Sequence, residues 1–252
     1  MTIFTVLRYI IGDFLFNLRY KLFLKDKLRK FYFRALNRQT VMVKIGLGPP
    51  FINYYEFGVG WGSTLKKFIT ALKIFCNINK KDLYSYHIFG FDSYEGLPEK
   101  EGPKDDSKEW SKGSYSYSIS EIEQKVLKRV INLKRNTIHF IKGFYEDSLT
   151  TELRNELSEY PPSIITIDCD YYSSTKIVLE WLRPMLYSGT LFYFDDMWSF
   201  HGHPNYGQPA AIREFNEIGE GQLIPFPLLG LNGQVFIYSR KEFEFTSKEK
   251  KL

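Results

Sequence analysis

Four aspartates follow two apolar segments of the sequence and are the residues best suited to chemistry. SIITIDCDYYSST (163–175) ends an apolar run in Asp168 and Asp170, and GTLFYFDDM (189–197) ends another in Asp195 and Asp196. Carboxylates crowded together repel and raise each other's pKa unless a cation neutralises them. Aspartate oxygens without an accompanying His or Cys pattern suit a hard cation such as Mg²⁺. If the two runs are neighbouring strands, about 4.8 Å apart, Asp168, Asp195 and Asp196 can reach one ion.

Asp170 is open to several roles. Its carboxylate can support a metal ligand, interact with the N-terminus of the following helix, or accept a proton. A plainer alternative for all four aspartates is that they are helix caps and solvated turn residues.

Glycines dominate the turn after the first strand-like segment, YYEFGVGWGST (54–64). Gly58, Gly60 and Gly62 allow the backbone to turn tightly and to approach a ligand. Their spacing differs from the dinucleotide pattern, whose third glycine comes three positions after the second. Glu56 precedes the turn and suits a cationic ligand better than a pyrophosphate. With Ser63 after it, the pattern indicates S-adenosylmethionine, which carries an ammonium and a sulfonium, although a plain strand–helix turn is the alternative.

Two further strand ends complete a candidate cofactor site. FGFDSYEGLPE (89–99) places Asp92 and Ser93 where an acidic residue can accept both ribose hydroxyls of an adenosine. KGFYEDSL (142–149) places Gly143 and Phe144 where they can line the adenine, with simple packing as the alternative.

Five motifs, in this order and spacing, resemble the macrocin O-methyltransferase family: YYEFGVGWGST, GFDSYEGLPE, IKGFYEDSL, IDCDYYSST and FDDM. The similarity covers residues 50–240. The resemblance implies a class I S-adenosylmethionine-dependent enzyme that methylates sugar hydroxyls of natural products, built on a doubly wound seven-stranded sheet. It also implies a divalent metal, usually magnesium, held by Asp168, Asp195 and Asp196, as in the similar arrangement of catechol O-methyltransferase. Asp168 is a candidate cofactor contact as well.

Methyl transfer to a hydroxyl requires in-line alignment and removal of the hydroxyl proton. Asp168 and Asp170 are candidate bases. His201 and His203 of WSFHGHPNYG (198–207) compete with them, because that loop follows the second aspartate pair and reaches the same edge of the sheet. The alternative for each histidine is an exposed loop residue without a catalytic role.

The elements that must position these residues alternate between strand and helix after residue 50. Near-continuous apolar strands separated by helices predict an α/β, Rossmann-like fold with a mostly parallel sheet covered on both faces. A closing antiparallel pair is expected from residues 222–229 and 234–240. In such sheets ligands bind beyond the carboxyl ends of the strands, where every motif above falls.

Three segments are expected to form the acceptor pocket. The polar stretch 99–118 is long for a connection and is predicted to be a loop that can act as a lid. The loop at 197–207 and the N-terminal segment are the other two. The expected partner is a small-molecule or glycan acceptor.

The basic character of the chain belongs to its N-terminal segment. The net charge is +5, but residues 1–44 contain ten Lys/Arg and two Asp/Glu, whereas the remainder is net negative. We therefore divide the chain into a basic amphipathic helical extension (1–44) and a methyltransferase domain (45–252), and we expect no nucleic-acid binding. Arg8 and Asp13 interrupt the apolar stretch too early for a membrane span.

The extension has several possible roles. It can pack on the domain or on a second subunit of an expected homo-oligomer, lie on an anionic membrane surface through residues 1–40, or be partly disordered. Cys76 and Cys169 are far apart and match no metal-ligand spacing, so we expect them to be reduced core residues. They indicate a cytoplasmic protein, which can also be peripheral to a membrane.

Two other functions fit parts of the sequence. A D-x-D pattern after an apolar strand holds Mn²⁺ and a nucleotide sugar in many glycosyltransferases, although such enzymes do not need the glycine turn. A membrane-associated scaffold with a degenerate methyltransferase fold is the non-enzymatic alternative, and it would be favoured if the turn or the aspartates were broken. Both are intact here.

Overall fold

The computed structural model describes residues 25–81, 86–127, 137–226 and 233–240. Its strands form one sheet in the order β3-β2-β1-β4-β5-β7-β6. Strands β1 to β5 pair in parallel, and β7 is antiparallel to both β5 and β6. The strands are β1 Tyr54–Phe57, β2 Ile88–Asp92, β3 Ile138–Lys142, β4 Ile164–Ile167, β5 Leu191–Phe194, β6 Gly221–Pro225 and β7 Gln234–Arg240. The prediction of a doubly wound, mostly parallel seven-stranded sheet with an antiparallel edge is therefore confirmed.

Helices cover both faces of this sheet. They are α1 Lys27–Ile45, α2 Ser63–Asn79, α3 Ile119–Leu127, α4 Tyr145–Ser148, α5 Thr151–Glu156, α6 Tyr172–Leu182 and α7 Gly207–Ile218. The alternation of strand and helix from β1 to β5 gives the parallel crossovers that the sequence pattern predicts. Among the described helices, none is both long and apolar enough to cross a membrane.

The strand register brings the motif residues to one edge. Phe57, Ile167 and Phe194 are register partners across β1, β4 and β5, and each is the last residue of its strand. The chain leaves the sheet immediately afterwards in all three strands, so the following residues lie side by side: Gly58, Asp168 and Asp195.

The sheet separates two hydrophobic layers. Tyr54 stacks on Phe68 of α2 in one layer, with ring centroids 3.7 Å apart, and Phe57 stacks on Phe91 in the other at 4.5 Å. Cys76 is buried in the first layer and Cys169 in the second, as expected. Aromatic pairs of this kind add to the free energy gained by burying apolar area, which explains the use of the chain's many Phe and Tyr residues.

Helix α1 packs against α2 and the sheet. Asp26 caps the N-terminus of this helix, because its side chain accepts a hydrogen bond from the Arg29 amide at 3.0 Å. The helix ends at Gly46, which has the left-handed conformation. Its apolar stripe is buried: Leu28, Phe31, Tyr32, Ala35 and Leu36. Residues 27–45 thus pack on the body of the protein, one of the alternatives for the extension. Residues 1–24 lie outside the described residues, and the division at 44/45 stays a prediction.

Candidate active site

A cleft of about 380 Å³ opens at the carboxyl ends of the parallel strands. Its size is within the range of small-molecule sites. It is lined by most of the residues singled out in the sequence: Gly58, Gly60, Ser63, Asp92, Ser93, Gly143, Phe144, Asp168, Asp170, Asp195 and Asp196. Glu56, Gly62, His201 and His203 are not among its lining residues.

The glycines of the turn satisfy different constraints. A Cβ on Gly58 would lie 1.7 Å from the Asp168 carbonyl oxygen, so this glycine is required by the close approach of β1 to β4. Gly60 has φ +46° and no backbone neighbour that a Cβ would touch, and its amide donates to Asp92 Oδ2 at 2.8 Å. A Cβ on Gly62 would crowd Val126 and Ile122 of α3. Of these three glycines, Gly60 is the one whose added Cβ would meet no atom closer than 3.8 Å, the distance to the Tyr117 ring.

Glu56 lies behind the turn rather than in the cleft. It is fully buried, and Tyr54 Oη donates to its Oε2 at 2.5 Å. Its other oxygen, Oε1, forms no hydrogen bond of normal geometry, although the Leu65 amide is near enough to favour the charged form. Burial outweighs these favourable contacts and raises the pKa of Glu56 to about 8. The carboxyl is therefore placed to support the turn and the start of α2.

Asp92 connects the second strand to the glycine turn. Its Oδ2 accepts from the Gly60 amide at 2.8 Å and its Oδ1 from the Tyr94 amide at 2.7 Å. Burial raises the pKa of Asp92 against the effect of these hydrogen bonds. Each carboxylate oxygen retains a further acceptor position, so Asp92 can still bind a ligand hydroxyl from the cleft.

Three carboxylates meet at the ends of β4 and β5. Asp168, Asp195 and Asp196 each offer an oxygen, and these oxygens lie within 4.8 Å of one another. The side chains keep part of their surface open to the cleft, while protein surrounds them on the other sides. Burial first, then the neighbouring carboxylates, raises the pKa of both Asp168 and Asp196 well above its usual range. Hard, mutually repelling oxygen donors at this spacing fit a Mg²⁺ ion.

Asp170 adjoins this cluster. Its amide donates to Asp196 Oδ2 at 3.3 Å, and its backbone has φ +61°, an uncommon conformation for a residue other than glycine. Burial, followed by the Asp168 and Asp195 carboxylates, raises the pKa of Asp170 to about 8. A bound cation would oppose that shift by favouring the charged form.

Two residues that the sequence did not reveal hold the cluster in place. Gln208, fully buried at the start of α7, accepts from the Asp196 amide at 3.0 Å and donates to Asp196 Oδ2 at 3.4 Å. Tyr193 donates its hydroxyl to Asp195 Oδ1. In the sequence, Tyr193 is marked only by its hydroxyl, two residues before Asp195, and no motif pointed to Gln208.

The two candidate histidines are at the rim of the site. His201 and His203 are exposed, and the His203 ring makes a local hydrogen bond, in which Nδ1 accepts from the Asn205 amide at 3.2 Å. The structure therefore brings the aspartates together but leaves both histidines outside the cleft lining.

The sheet order, the glycine turn and the acidic strand ends together define a class I S-adenosylmethionine-dependent methyltransferase. Residues 56–218 match the model of the family described as "Macrocin-O-methyltransferase (TylF)", and the chain belongs to that family. The protein is accordingly an S-adenosylmethionine-dependent O-methyltransferase, which confirms the predicted enzyme class.

Solved structures with the same fold include two methyltransferases. The calicheamicin methyltransferase CalS11 has 22% sequence identity and a TM-score of 0.60, with 83% of this chain and 77% of that chain covered. The O-methyltransferase NovP has 19% identity and a TM-score of 0.59, with 85% and 80% covered. A search of curated proteins found no match.

Proposed function

We propose that the protein transfers the methyl group of S-adenosylmethionine to a hydroxyl of a sugar or glycosylated natural product, with the help of a divalent metal, most simply Mg²⁺. The observation that carries this proposal is the meeting of Asp168, Asp195 and Asp196 in the same cleft as the glycine turn and Asp92.

The cofactor half of the cleft is assigned to residues that follow β1, β2 and β3. The Gly60 region offers open backbone, Asp92 and Ser93 face the cleft as candidate ribose contacts, and Gly143 with Phe144 would line the adenine. When bound, S-adenosylmethionine supplies an activated methyl group on a sulfonium. Glu56 acts indirectly in this scheme, because its buried carboxyl supports the turn.

The metal half is assigned to residues that follow β4 and β5. Asp168, Asp195 and Asp196 would hold the ion, which supplies Lewis-acid activation of the acceptor hydroxyl. Gln208 and Tyr193 orient the Asp196 and Asp195 carboxylates through their hydrogen bonds.

The general base is proposed to be Asp170. It lines the cleft beside the acidic cluster, whereas His201 and His203 do not. Asp168 remains the alternative if it is not fully engaged as a metal ligand. Asp170→Asn should lower kcat while leaving the affinity for S-adenosylhomocysteine unchanged.

A sugar acceptor is proposed from the proteins that share this fold and family. The family takes its name from macrocin O-methyltransferase. One structure with a similar fold is that of a TDP-rhamnose 3′-O-methyltransferase of calicheamicin biosynthesis. Family membership favours methyl transfer over the glycosyltransferase and scaffold alternatives. Binding of a nucleotide sugar without binding of S-adenosylhomocysteine would reverse that preference.

The test is a screen of free sugars, nucleotide sugars and glycosides with labelled S-adenosylmethionine, with Mg²⁺ and with excess chelator. Asp195→Ala should keep S-adenosylhomocysteine binding in calorimetry and lower Mg²⁺-dependent turnover by about 100-fold or more. Asp106→Ala is the matched control, because Asp106 is an exposed aspartate that does not line the cleft. Full activity of Asp195→Ala in excess chelator would rule out the metal role.

The proposed assembly involves the N-terminal segment. We propose a homo-oligomer. We also propose peripheral contact of residues 1–40 with anionic membranes, which the concentration of basic residues in 1–44 supports. Analytical ultracentrifugation tests the first. Co-sedimentation with vesicles containing phosphatidylserine tests the second, and equal binding to neutral vesicles would contradict it.

A further inference from the structure

A loop between β2 and α3 forms one wall of the cleft, and it is fixed at its outer end. The Gly113 amide donates to the Leu97 carbonyl, and the Leu97 amide donates to the Ser114 carbonyl, both at 2.9 Å. A Cβ on Gly96 would lie 2.5 Å from the Gly113 carbonyl oxygen, which shows how closely the two segments approach. Residues 94–97 and 113–116 therefore hold each other in one conformation.

The same loop is attached to the body at a second place. Asp105 is 1% exposed, and its Oδ1 accepts from the Ser173 amide of α6 at 3.1 Å. Trp110 packs edge-on against Tyr171 and Phe200, with ring centroids 6.0 and 6.2 Å away. With both attachments, this loop is better described as a fixed wall than as a freely moving lid.

The wall presents Tyr115 to the cleft in an unusual way. Tyr115 has φ +64°, which is a genuine outlier for a bulky residue, and its side chain is 51% exposed although it lines the cleft. Neither its ring nor its hydroxyl contacts another aromatic ring or a hydrogen-bond partner among the described residues. Tyr117, two residues on, differs: its ring packs against Trp61, with centroids 4.8 Å apart. A strained backbone that exposes an unpartnered aromatic ring in a cleft is typical of a ligand contact.

We propose that Tyr115 contacts the methyl acceptor, with its ring against the acceptor's apolar face and its hydroxyl bonded to an acceptor oxygen. This proposal rests on the proposed sugar-methylating function.

Tyr115 lines the cleft together with Asp170 and Asp196, and this neighbourhood points to the acceptor side. After burial, the carboxylates of Asp170 and Asp196 are the main causes that raise the pKa of its hydroxyl, followed by Tyr117 and Asp168. These aspartates follow β4 and β5, where the acceptor hydroxyl must arrive. The cofactor candidates follow β1 to β3. A tyrosine suits a sugar, because one ring face covers C–H groups while the hydroxyl can donate to or accept from a neighbouring hydroxyl.

The test uses Tyr115→Ala, Tyr115→Phe and the matched control Tyr187→Ala. Tyr187 is similarly exposed, at 41%, and lines a different groove. With the acceptor returned by the screen, Tyr115→Ala should raise KM about tenfold, equivalent to losing one good contact, with a much smaller change in kcat. Tyr115→Phe removes only the hydroxyl, so its KM should show how much of the increase in Tyr115→Ala comes from the hydroxyl and how much from the ring. S-adenosylhomocysteine affinity should stay within twofold for all three variants.

Each outcome of this test has a consequence. Loss of S-adenosylhomocysteine binding in Tyr115→Ala would assign the residue to the cofactor and overturn the proposal, as would an unchanged KM. Ligand-observed NMR with the same sugars, on protein loaded with S-adenosylhomocysteine, separates failure of this proposal from failure of the proposed function. Binding of a sugar that is never methylated would contradict only the proposed sugar methylation. In that case Tyr115→Ala should still weaken the binding of the sugar. If no sugar binds, both proposals fall.

Discussion

Gly58 and Gly60 stand two positions apart in one turn, and the structure gives them different tolerances. Gly58→Ala would drive a Cβ into the Asp168 carbonyl, so β1 and β4 would have to separate. We expect a loss of about 3 kcal/mol or more of unfolding free energy, at the upper end of overpacking effects. A Cβ on Gly60 would lie 3.8 Å from the Tyr117 ring, an ordinary van der Waals contact, so Gly60→Ala should cost about 1 kcal/mol, from its left-handed backbone alone.

Urea unfolding of the two variants checks this difference, and S-adenosylhomocysteine calorimetry adds a functional comparison. Gly60→Ala should fold and bind the cofactor product more weakly, because its added methyl group faces the cleft. Equal destabilisation by the two substitutions would contradict the assignment of Gly58 to strand packing.

Glu56 should make stability depend on pH. Its pKa is about 8 in the folded protein, against an ordinary value of 4.5. Between these values the folded state binds the proton and the unfolded state does not, so the free energy of unfolding falls as pH rises through that window. Asp92 raises this pKa further, whereas Lys67 and the hydroxyl of Tyr54 lower it.

Glu56→Gln removes the titration and keeps an acceptor for Tyr54. Relative to the wild type, the variant should gain unfolding free energy on going from pH 5 to pH 8.5, on the order of a few kcal/mol. The difference between the two proteins isolates Glu56 from the aspartates, which titrate in both. Parallel pH profiles in urea denaturation would show that Glu56 is ionised in the folded state.

At the scale of elements, a buried hydroxyl network joins α1 to the strands that carry the site. Tyr32 Oη lies 2.8 Å from Thr166 Oγ1 of β4, and Tyr54 Oη of β1 lies 3.0 Å from the same oxygen. Tyr54 also donates to Glu56. Helix α1 is thereby connected to β1 and β4, the strands that carry the cofactor turn and Asp168 at their carboxyl ends.

Tyr32→Phe should therefore destabilise the protein by about 1 kcal/mol, the typical net value of one buried hydrogen bond. Thr166→Val removes the partner with little change of shape. If Tyr32 and Thr166 act through their shared contact, the double variant should lose less unfolding free energy than the two single variants lose together. The difference should be at least about 0.5 kcal/mol. Additive losses in urea unfolding would mean that the Tyr32–Thr166 contact does not help to hold α1 on the sheet.

The sequence predicted the elements well where local pattern determines them. Apolar runs that end in Gly or Asp predicted the strands. Because ligands bind beyond the carboxyl ends of parallel strands, the sequence also predicted that Asp168 and Asp195 lie close together. Contacts between distant segments were not predictable in this way. Gln208 reaches Asp196 only because α7 returns over the sheet, and Asp105 reaches the Ser173 amide across 68 positions of sequence. Glu56 was expected beside the ligand, since its pattern does not reveal which side of the turn its carboxyl occupies.

At the scale of the whole molecule, the acidic cluster should couple metal binding to stability. Three carboxylate oxygens within 4.8 Å cost free energy in the folded state unless a cation neutralises them, and the unfolded chain does not hold them together. A cation that binds only the folded protein stabilises it by about 1.4 kcal/mol at ten times its dissociation constant. For a chain of this size that corresponds to an increase of about 3 °C in Tm.

Asp195→Asn distinguishes this coupling from a general salt effect, because its Oδ1 can still accept from Tyr193 while one negative charge is removed. In chelator the variant should be at least as stable as the wild type, since repulsion within the cluster is relieved. With Mg²⁺ the wild type should gain Tm and the variant should gain little. Asp106→Asn, an exposed site, should behave like the wild type in calorimetric scans with MgCl₂ and with NaCl at equal ionic strength. If wild type and Asp195→Asn respond equally to Mg²⁺, the ion is binding elsewhere, and the three aspartates do not form the metal site.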